Sequence, residues 1–149
     1  MKKKILSMVA AVLLTANVYA QNYTAQQKRV LSEISSYVSK AGYSVEEKEN
    51  GLKFKDDGAV YYVEMSQEDT NPLFVRICRY VPFKSTLKKE VVKENIVDLN
   101  STYGIKTIIR DNEVLLASDM FLTKASQLTN VFHTIMKEFS YVYEELTEQ

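Results

Sequence analysis

Cysteine and histidine are almost absent from this 149-residue sequence, which holds one of each, Cys78 and His133. A single cysteine cannot form an intramolecular disulfide, so Cys78 is either a small buried hydrophobic residue or a site of pairing between chains, and we expect burial. One histidine without further ligands at suitable spacing cannot form a zinc site, so we expect a polar residue at the rim of a helix and no metal or other cofactor.

The groupings of side chains that catalysis requires are also missing. The chain has no glycine-rich phosphate loop, and its acidic clusters fall in predicted turns, on solvent faces of strands or near the C-terminus. A Cys78 and His133 pair would need an activated thiolate and a third group that orients the histidine. The loop 68–71 offers oxygen atoms but lacks the spacing and the glycine of an EF-hand, so we expect a solvated loop without calcium. We predict that the protein is not an enzyme.

The one long apolar run covers residues 5–18 and follows three lysines. It is shorter than the roughly 20 apolar residues that span a bilayer, and it ends at Val18-Tyr19-Ala20, a sequence that a signal peptidase accepts. We predict a signal peptide over residues 1–20 and an exported domain over residues 21–149, periplasmic or secreted. The alternative is an uncleaved N-terminal anchor.

The charge balance argues against nucleic acid as a partner. The whole chain has 19 basic and 19 acidic residues, and loss of Lys2, Lys3 and Lys4 with the signal peptide leaves 16 basic residues and a net charge of −3. A slightly acidic surface attracts neither phosphate backbones nor anionic lipids. We expect a protein partner or a second copy of the chain, no nucleic acid, and no membrane anchor after cleavage.

Hydrophobic periodicity predicts a single α+β domain over residues 21–149. Thr24 and Gln27 form a capping box at the start of the first helix, and Gly42 ends it. The predicted elements are helix 25–41, antiparallel strands across 43–81 with turns at Asn50-Gly51 and Asp57-Gly58, and a helix from Ser85 or Thr86 to about Ser101. A hairpin of 105–110 and 113–122 follows, and then a strongly amphipathic helix from about Lys124. The apolar stripe of this last helix consists of Leu128, Val131, Phe132, Ile135, Phe139, Val142, Tyr143 and Leu146. Helices in this class lie mainly on one face of the antiparallel sheet.

The strand LFVRICRYV, residues 73–81, has two faces of different character. Leu73, Val75 and Ile77 point to one side, and the alternate residues point to the other. Aromatic and arginine side chains are enriched at the centres of protein interfaces. The alternate face, extended to the neighbouring strand, supplies our candidate partner-binding residues: Tyr62, Phe74, Arg76, Cys78 and Tyr80. The periodicity leaves open which face is buried, and the second helix or a loop could cover this one.

Two runs near the C-terminus resemble a known family. LNSTYGIKTIIRDNEVLLASDMFL (99–122) and KASQLTNVFHTIMKEFSYVYEEL (124–146) resemble the C-terminal half of the YbjN family, whose fold is similar to that of type III secretion chaperones. The hairpin GYSVEEKENGLKF and the strand FVRICRYV stand in the expected order. The resemblance implies a non-enzymatic binding scaffold, and the related chaperones dimerise and hold partner polypeptides. Those chaperones are cytoplasmic, so a signal peptide argues against an effector-chaperone role here.

Together these features favour an exported, non-enzymatic binding module that acts through protein–protein contacts, as a chaperone-like or regulatory scaffold, either with another protein or as a homodimer. The alternative is a periplasmic carrier of a small molecule or lipid. Its ligand would lie between the sheet and the helices, among Phe54, Tyr61, Phe132 and Phe139.

Overall fold

Six antiparallel strands form one sheet in the order β1-β2-β3-β4-β6-β5, which confirms the α+β prediction. The structure is a computed structural model that describes residues 23–68 and 70–148, so the predicted signal peptide lies outside the described residues. The strands are β1 Ser44–Lys48, β2 Gly51–Asp56, β3 Ala59–Met65, β4 Leu73–Pro82, β5 Lys106–Ile109 and β6 Glu113–Leu122. The helices are α1 Ala25–Lys40, α2 Lys89–Thr102, α3 Ser126–Thr129 and α4 Phe132–Thr147.

The start of α1 confirms the predicted capping box and also ties the helix to the sheet. The Thr24 hydroxyl oxygen accepts from the Gln27 backbone N–H, and the Gln27 side-chain oxygen accepts from the Thr24 N–H at 2.7 Å. The Gln27 amide then donates to the Ser66 carbonyl oxygen at 2.9 Å, just beyond β3. Gln27 is fully buried, and these bonds satisfy its polar atoms, as burial requires.

The first hairpin forms where it was predicted, but its turn is shifted by one residue. Lys48 pairs with Gly51, so Glu49 and Asn50 form the loop, and the predicted Asn50-Gly51 type I′ turn is wrong. Gly51 instead opens β2 with φ +148°, and a Cβ there would come within 1.8 Å of the Val63 carbonyl oxygen. Glycine is required at this position by the close approach of β3.

The Asp57-Gly58 turn between β2 and β3 is confirmed. Asp56 pairs with Ala59, and the two loop residues have φ values of 43° and 78°. Positive φ at both positions is the signature of a type I′ turn, whose twist matches that of the flanking strands.

The second helix begins later than predicted. Lys84 and Leu87 exchange two backbone hydrogen bonds, of 3.1 and 3.0 Å, and this short turn buries the Leu87 side chain. The chain therefore becomes helical at Lys89, and the predicted cap at Ser85 or Thr86 is wrong. Burial of Leu87 against the core holds these residues outside the helix.

The predicted C-terminal helix is broken into α3 and α4. Val131 lies between them with φ −111° and ψ 0°, outside helical geometry, and it is exposed rather than buried as its place in the stripe suggested. The rest of the stripe is buried apart from Tyr143, which is half-buried. Leu128 before the break and Phe132 after it are both fully buried, so each helix contributes to the core.

One core holds the sheet against α1, α2, α3 and α4. Side chains of all four helices join the inward residues of β2, β3, β4 and β6 in a single buried cluster. The other face of the sheet carries a separate, smaller cluster in which the helices take no part. The helices thus lie on one side of the sheet, as predicted.

Candidate interaction surface

The face of the sheet turned away from the helices, here called the open face, carries the candidate site. Leu73, Val75 and Ile77 are fully buried in the helix-covered core, so the alternate residues of β4 lie on the open face. The pairing of β4 with β3 and β6 extends that face across three strands. The open face consists of Tyr62, Glu64, Phe74, Arg76, Cys78, Tyr80, Leu115, Ala117, Asp119 and Phe121.

All five predicted site residues lie on this face, and three of them form its centre. Tyr62 pairs with Cys78 across the strands, and the rings of Tyr62 and Tyr80 meet edge to face with centroids 5.6 Å apart. Together with Leu115 and Ala117 they leave the Cys78 side chain with no exposed surface. The predicted burial of Cys78 is therefore confirmed, and a partner would meet the two tyrosines rather than the thiol.

The environment of Cys78 also makes the thiol unreactive. Burial, reinforced by the nearby Glu64 carboxylate, raises the pKa of the thiol to about 12. The thiolate is the nucleophilic form, so almost none of the reactive species exists at neutral pH. Cys78 acts here as a small packing residue beneath the aromatic rings.

An ion pair spans the neighbouring strands beside this centre. The Arg76 guanidinium donates two hydrogen bonds to the Asp119 carboxylate, at 2.6 and 3.0 Å, and Lys106 donates to the same carboxylate at 3.0 Å. The hydrogen bond from Arg76 is the main reason why the pKa of Asp119 is lowered. Bidentate geometry fixes both side chains in the plane of the face.

Tyr80 is held by polar contacts at its ring and at its hydroxyl. Its hydroxyl donates to the Glu64 carboxylate at 2.8 Å, and the Arg110 guanidinium lies 5.1 Å from the ring centroid. Burial and the bond to Glu64 raise the pKa of the Tyr80 hydroxyl. The open face is thus preorganised, because its aromatic side chains are fixed by partners within the sheet.

Phe121 is the most exposed aromatic residue of this face. Its side chain is 65% exposed, and its ring meets that of Phe74 edge to face at 5.5 Å. The Arg76 guanidinium lies 5.7 Å from the Phe74 ring centroid, which joins this pair to the ion pair beside it. An exposed Phe121 beside a half-buried Phe74, at the end of a polar network, has the composition of an interface core with its rim.

Sequence reasoning missed five residues of the face, of which the last four lie on β6: Glu64, Leu115, Ala117, Asp119 and Phe121. Alternation along EVLLASDMFL places these four on one side of β6. It does not show which residues of β4 they oppose, because that register depends on a pairing between distant segments. The alternation along β6 therefore identified the side on which these residues lie, but not the residues of β4 that they contact.

Metal and membrane sites find no support in residues 23–68 and 70–148. These residues contain no group of three or more histidine, cysteine or acidic side chains able to hold a metal ion. His133 is exposed on α4, as predicted, with its ring 6.0 Å from that of Phe132. Among the same residues, no helix combines the length and the apolar character needed to cross a bilayer. The loop predicted to be solvated includes Asp69, which lies outside the described residues.

The interior proposed for a carried ligand is filled by its own side chains. Phe54 stacks on Tyr61 with ring centroids 5.3 Å apart, and Phe132 lies 5.7 Å from Phe54. Phe139 meets Tyr61 at 5.5 Å, and all four residues are buried. A ligand among these rings would have to displace aromatic contacts, so the geometry disfavours the carrier alternative.

The fold defined by this sheet and its helices is YbjN-like. One similar structure is that of YbjN, a candidate transcription regulator from E. coli, at a TM-score of 0.54 and 12% identity, covering 75% of this chain and 87% of that one. Another is an uncharacterised protein from Methanothermobacter thermautotrophicus, at a TM-score of 0.56 and 12% identity, covering 80% and 97%. No protein-family profile and no curated protein matches the chain in sequence. The likeness establishes the fold, in agreement with the predicted resemblance.

Proposed function

We propose that this protein is an exported, non-enzymatic binding module that works through protein–protein contact on its open face, and that the partner on this face is a second copy of the chain. The observation that carries the proposal is Phe121, 65% exposed on a sheet face where the helices take no part. Burying one such side chain contributes about 1.5–3 kcal/mol, and a two-fold contact would bury two.

The charges of the open face favour a second copy over a strongly charged partner. Arg76 and Lys106 both bind Asp119, and Glu64 accepts from Tyr80. The face therefore has no excess of one sign to repel its own copy, and it offers no basic track to a nucleic acid. A two-fold arrangement places the same neutral, aromatic surface on each side.

The edges of the sheet do not offer a competing route to association. β1 at one edge is short and mostly exposed, with the charged sequence SVEEK, and β5 at the other edge has four residues. Short and charged edge strands discourage pairing with another chain. Contact through the face is therefore favoured over extension of the sheet.

Export rests on the sequence of residues 1–20, with its basic head, apolar run and cleavage pattern. The description of YbjN as a candidate transcription regulator is compatible with a regulatory scaffold that acts by protein contact. The near-neutral open face supports contact with protein rather than with DNA.

Light scattering coupled to size-exclusion chromatography tests the proposal on residues 21–149. The wild-type chain should pass from monomer to dimer over roughly a hundredfold range of concentration, as mass action requires. Phe121→Asp should remain monomeric throughout, because it replaces an apolar side chain that the contact would bury with a charge. Val97→Asp is the matched control, since Val97 is 74% exposed on α2 and lies away from the open face.

A wild-type chain that stays monomeric at every concentration would overturn the assignment of a second copy. A dimer that persists in Phe121→Asp but is lost in Val97→Asp would move the interface to the helices.

Export is tested separately, by N-terminal sequencing of the protein expressed with its full sequence. A mature chain that begins at Gln21 in the periplasmic or extracellular fraction is expected, and a chain that retains Met1 in the cytoplasm would contradict it.

A further inference from the structure

Arg79 lies on the inner face of β4, near the edge of the core, with two tyrosine rings close to its guanidinium. Its guanidinium carbon is 3.9 Å from the Tyr143 ring centroid and 5.6 Å from that of Tyr61. Its one hydrogen bond goes to the Tyr61 hydroxyl, at 3.5 Å. The cation is half-buried, and most of its five N–H donors have no partner among the described residues.

Arg79 differs in this respect from the other arginines. Arg29, Arg76 and Arg110 each lie within 4.0 Å of a carboxylate oxygen, at 3.9, 2.6 and 3.6 Å. Arg79 has no carboxylate within that distance in the described part of the chain. A half-buried guanidinium with no carboxylate beside it keeps hydrogen-bond donors and a positive charge available to an anion.

A cavity of about 220 Å³ opens beside this guanidinium. Arg79 and Lys84 supply two positive charges to its lining, and no acidic residue is part of it. Val60, Val81 and Leu87 contribute apolar walls. The cavity thus combines two positive charges with a lining that is partly polar and partly apolar, which suits a small amphipathic anion.

We propose that this cavity binds a small organic carboxylate. The planar guanidinium of Arg79 matches a carboxylate through two parallel hydrogen bonds, and Lys84 adds a second charge at the exposed rim. The Tyr143 ring holds the guanidinium plane in place, and the apolar walls receive the remainder of the ligand. The ligand differs from inorganic phosphate in having an apolar portion, because phosphate has no group that could contact the apolar residues of the lining. Arg79 belongs to the inner face of β4, whereas Tyr80, which also lines the cavity, belongs to the open face. The proposal does not depend on the proposed function.

Calorimetric titration with benzoate, benzamide and inorganic phosphate tests the charge and the shape of the ligand. Benzoate should bind saturably, and benzamide, its neutral counterpart of similar shape, should bind at least about tenfold more weakly, because it loses a charged hydrogen-bonded pair. Amide resonances of Gly58, Thr86 and Leu87, which line the cavity, should shift on addition of benzoate. Phosphate that binds as tightly as benzoate would overturn the assignment to an organic carboxylate.

Variants then locate the binding. Arg79→Gln should weaken benzoate binding at least about tenfold, and Arg29→Gln, the matched change at an exposed arginine of α1, should leave it unchanged. Arg79→Gln also loses its contact with Tyr143, so a circular dichroism spectrum must show that it is folded. Lys84→Gln, at an exposed position, provides a second variant with little structural effect and should weaken binding severalfold. No saturable benzoate binding by the wild type, equal binding by Arg79→Gln, or amide shifts confined to other residues would overturn the proposal.

Discussion

The two faces of β4 are buried in different ways, although they belong to the same ten residues. On the inner face, Leu73, Val75 and Ile77 are covered by helices and have no exposed surface. On the open face, Cys78 is equally inaccessible, but its cover comes from Tyr62 and Tyr80 of the sheet itself. Burial under a helix layer depends on the whole fold, whereas burial under sheet neighbours depends on local pairs. The second kind leaves an ordered surface that remains available for contact.

The largest effect on stability is expected from the helix-covered core that packs against the inner face, where Phe139 of α4 lies. Phe139→Ala should lower the free energy of unfolding by about 3–5 kcal/mol, because it leaves a cavity among buried rings. Urea denaturation followed by circular dichroism measures this loss. Phe121→Ala is the counterpart on the open face, and its change should stay within about 1 kcal/mol because the side chain is already exposed. Equal losses in the two variants would remove the distinction between the faces.

The ion pair of the open face should contribute less than the core, and its contribution should depend on pH. Asp119→Asn should lower the free energy of unfolding by about 1–3 kcal/mol at neutral pH. The folded-state pKa of Asp119 is depressed, so the stabilisation is present above its unfolded value of about 3.9 and is lost as pH falls through the folded-state pKa. The difference between wild type and variant should therefore shrink in acid.

Urea denaturation at a series of pH values measures this convergence. Asp98→Asn provides the control, since Asp98 is exposed on α2 and its carboxylate has no ion-pair partner within the described residues. A difference between wild type and Asp119→Asn that is constant down to low pH would show that packing, rather than charge, holds the strands together there.

The helices that cover the inner face could be predicted from the sequence more completely than the open face. The capping box at Thr24, the stop at Gly42 and the stripe on α4 are local patterns, and the structure confirms them apart from the break at Val131. The open face depends on non-local pairing: Arg76 and Asp119 are 43 residues apart, and only the register of β4 and β6 brings them together. Alternation places a residue on a face, but it does not identify the residue across the strand.

The thiol of Cys78 provides a kinetic measure of how firmly the open face is packed. With its pKa raised to about 12 and no exposed surface, the thiol should react with a disulfide reagent at least about a thousandfold more slowly than a free thiol near pH 8. The rate should reach that of a free thiol in denaturant, which serves as the control. Rapid reaction of the folded chain would mean that Tyr62 and Tyr80 open readily, and it would revive the alternative of pairing between chains.

The smallest effect on stability is expected where the effect on association is expected to be largest. Phe121→Asp, measured at a concentration where the chain is monomeric, should unfold within about 0.5 kcal/mol of the wild type, as is usual for an exposed position. Phe121 buries little surface within one chain, so replacing it removes little of the free energy that stabilises the monomer. A loss above about 2 kcal/mol would show instead that the Phe121 and Phe74 pair stabilises the sheet, and the open face would then be part of the core of the monomer rather than a contact surface.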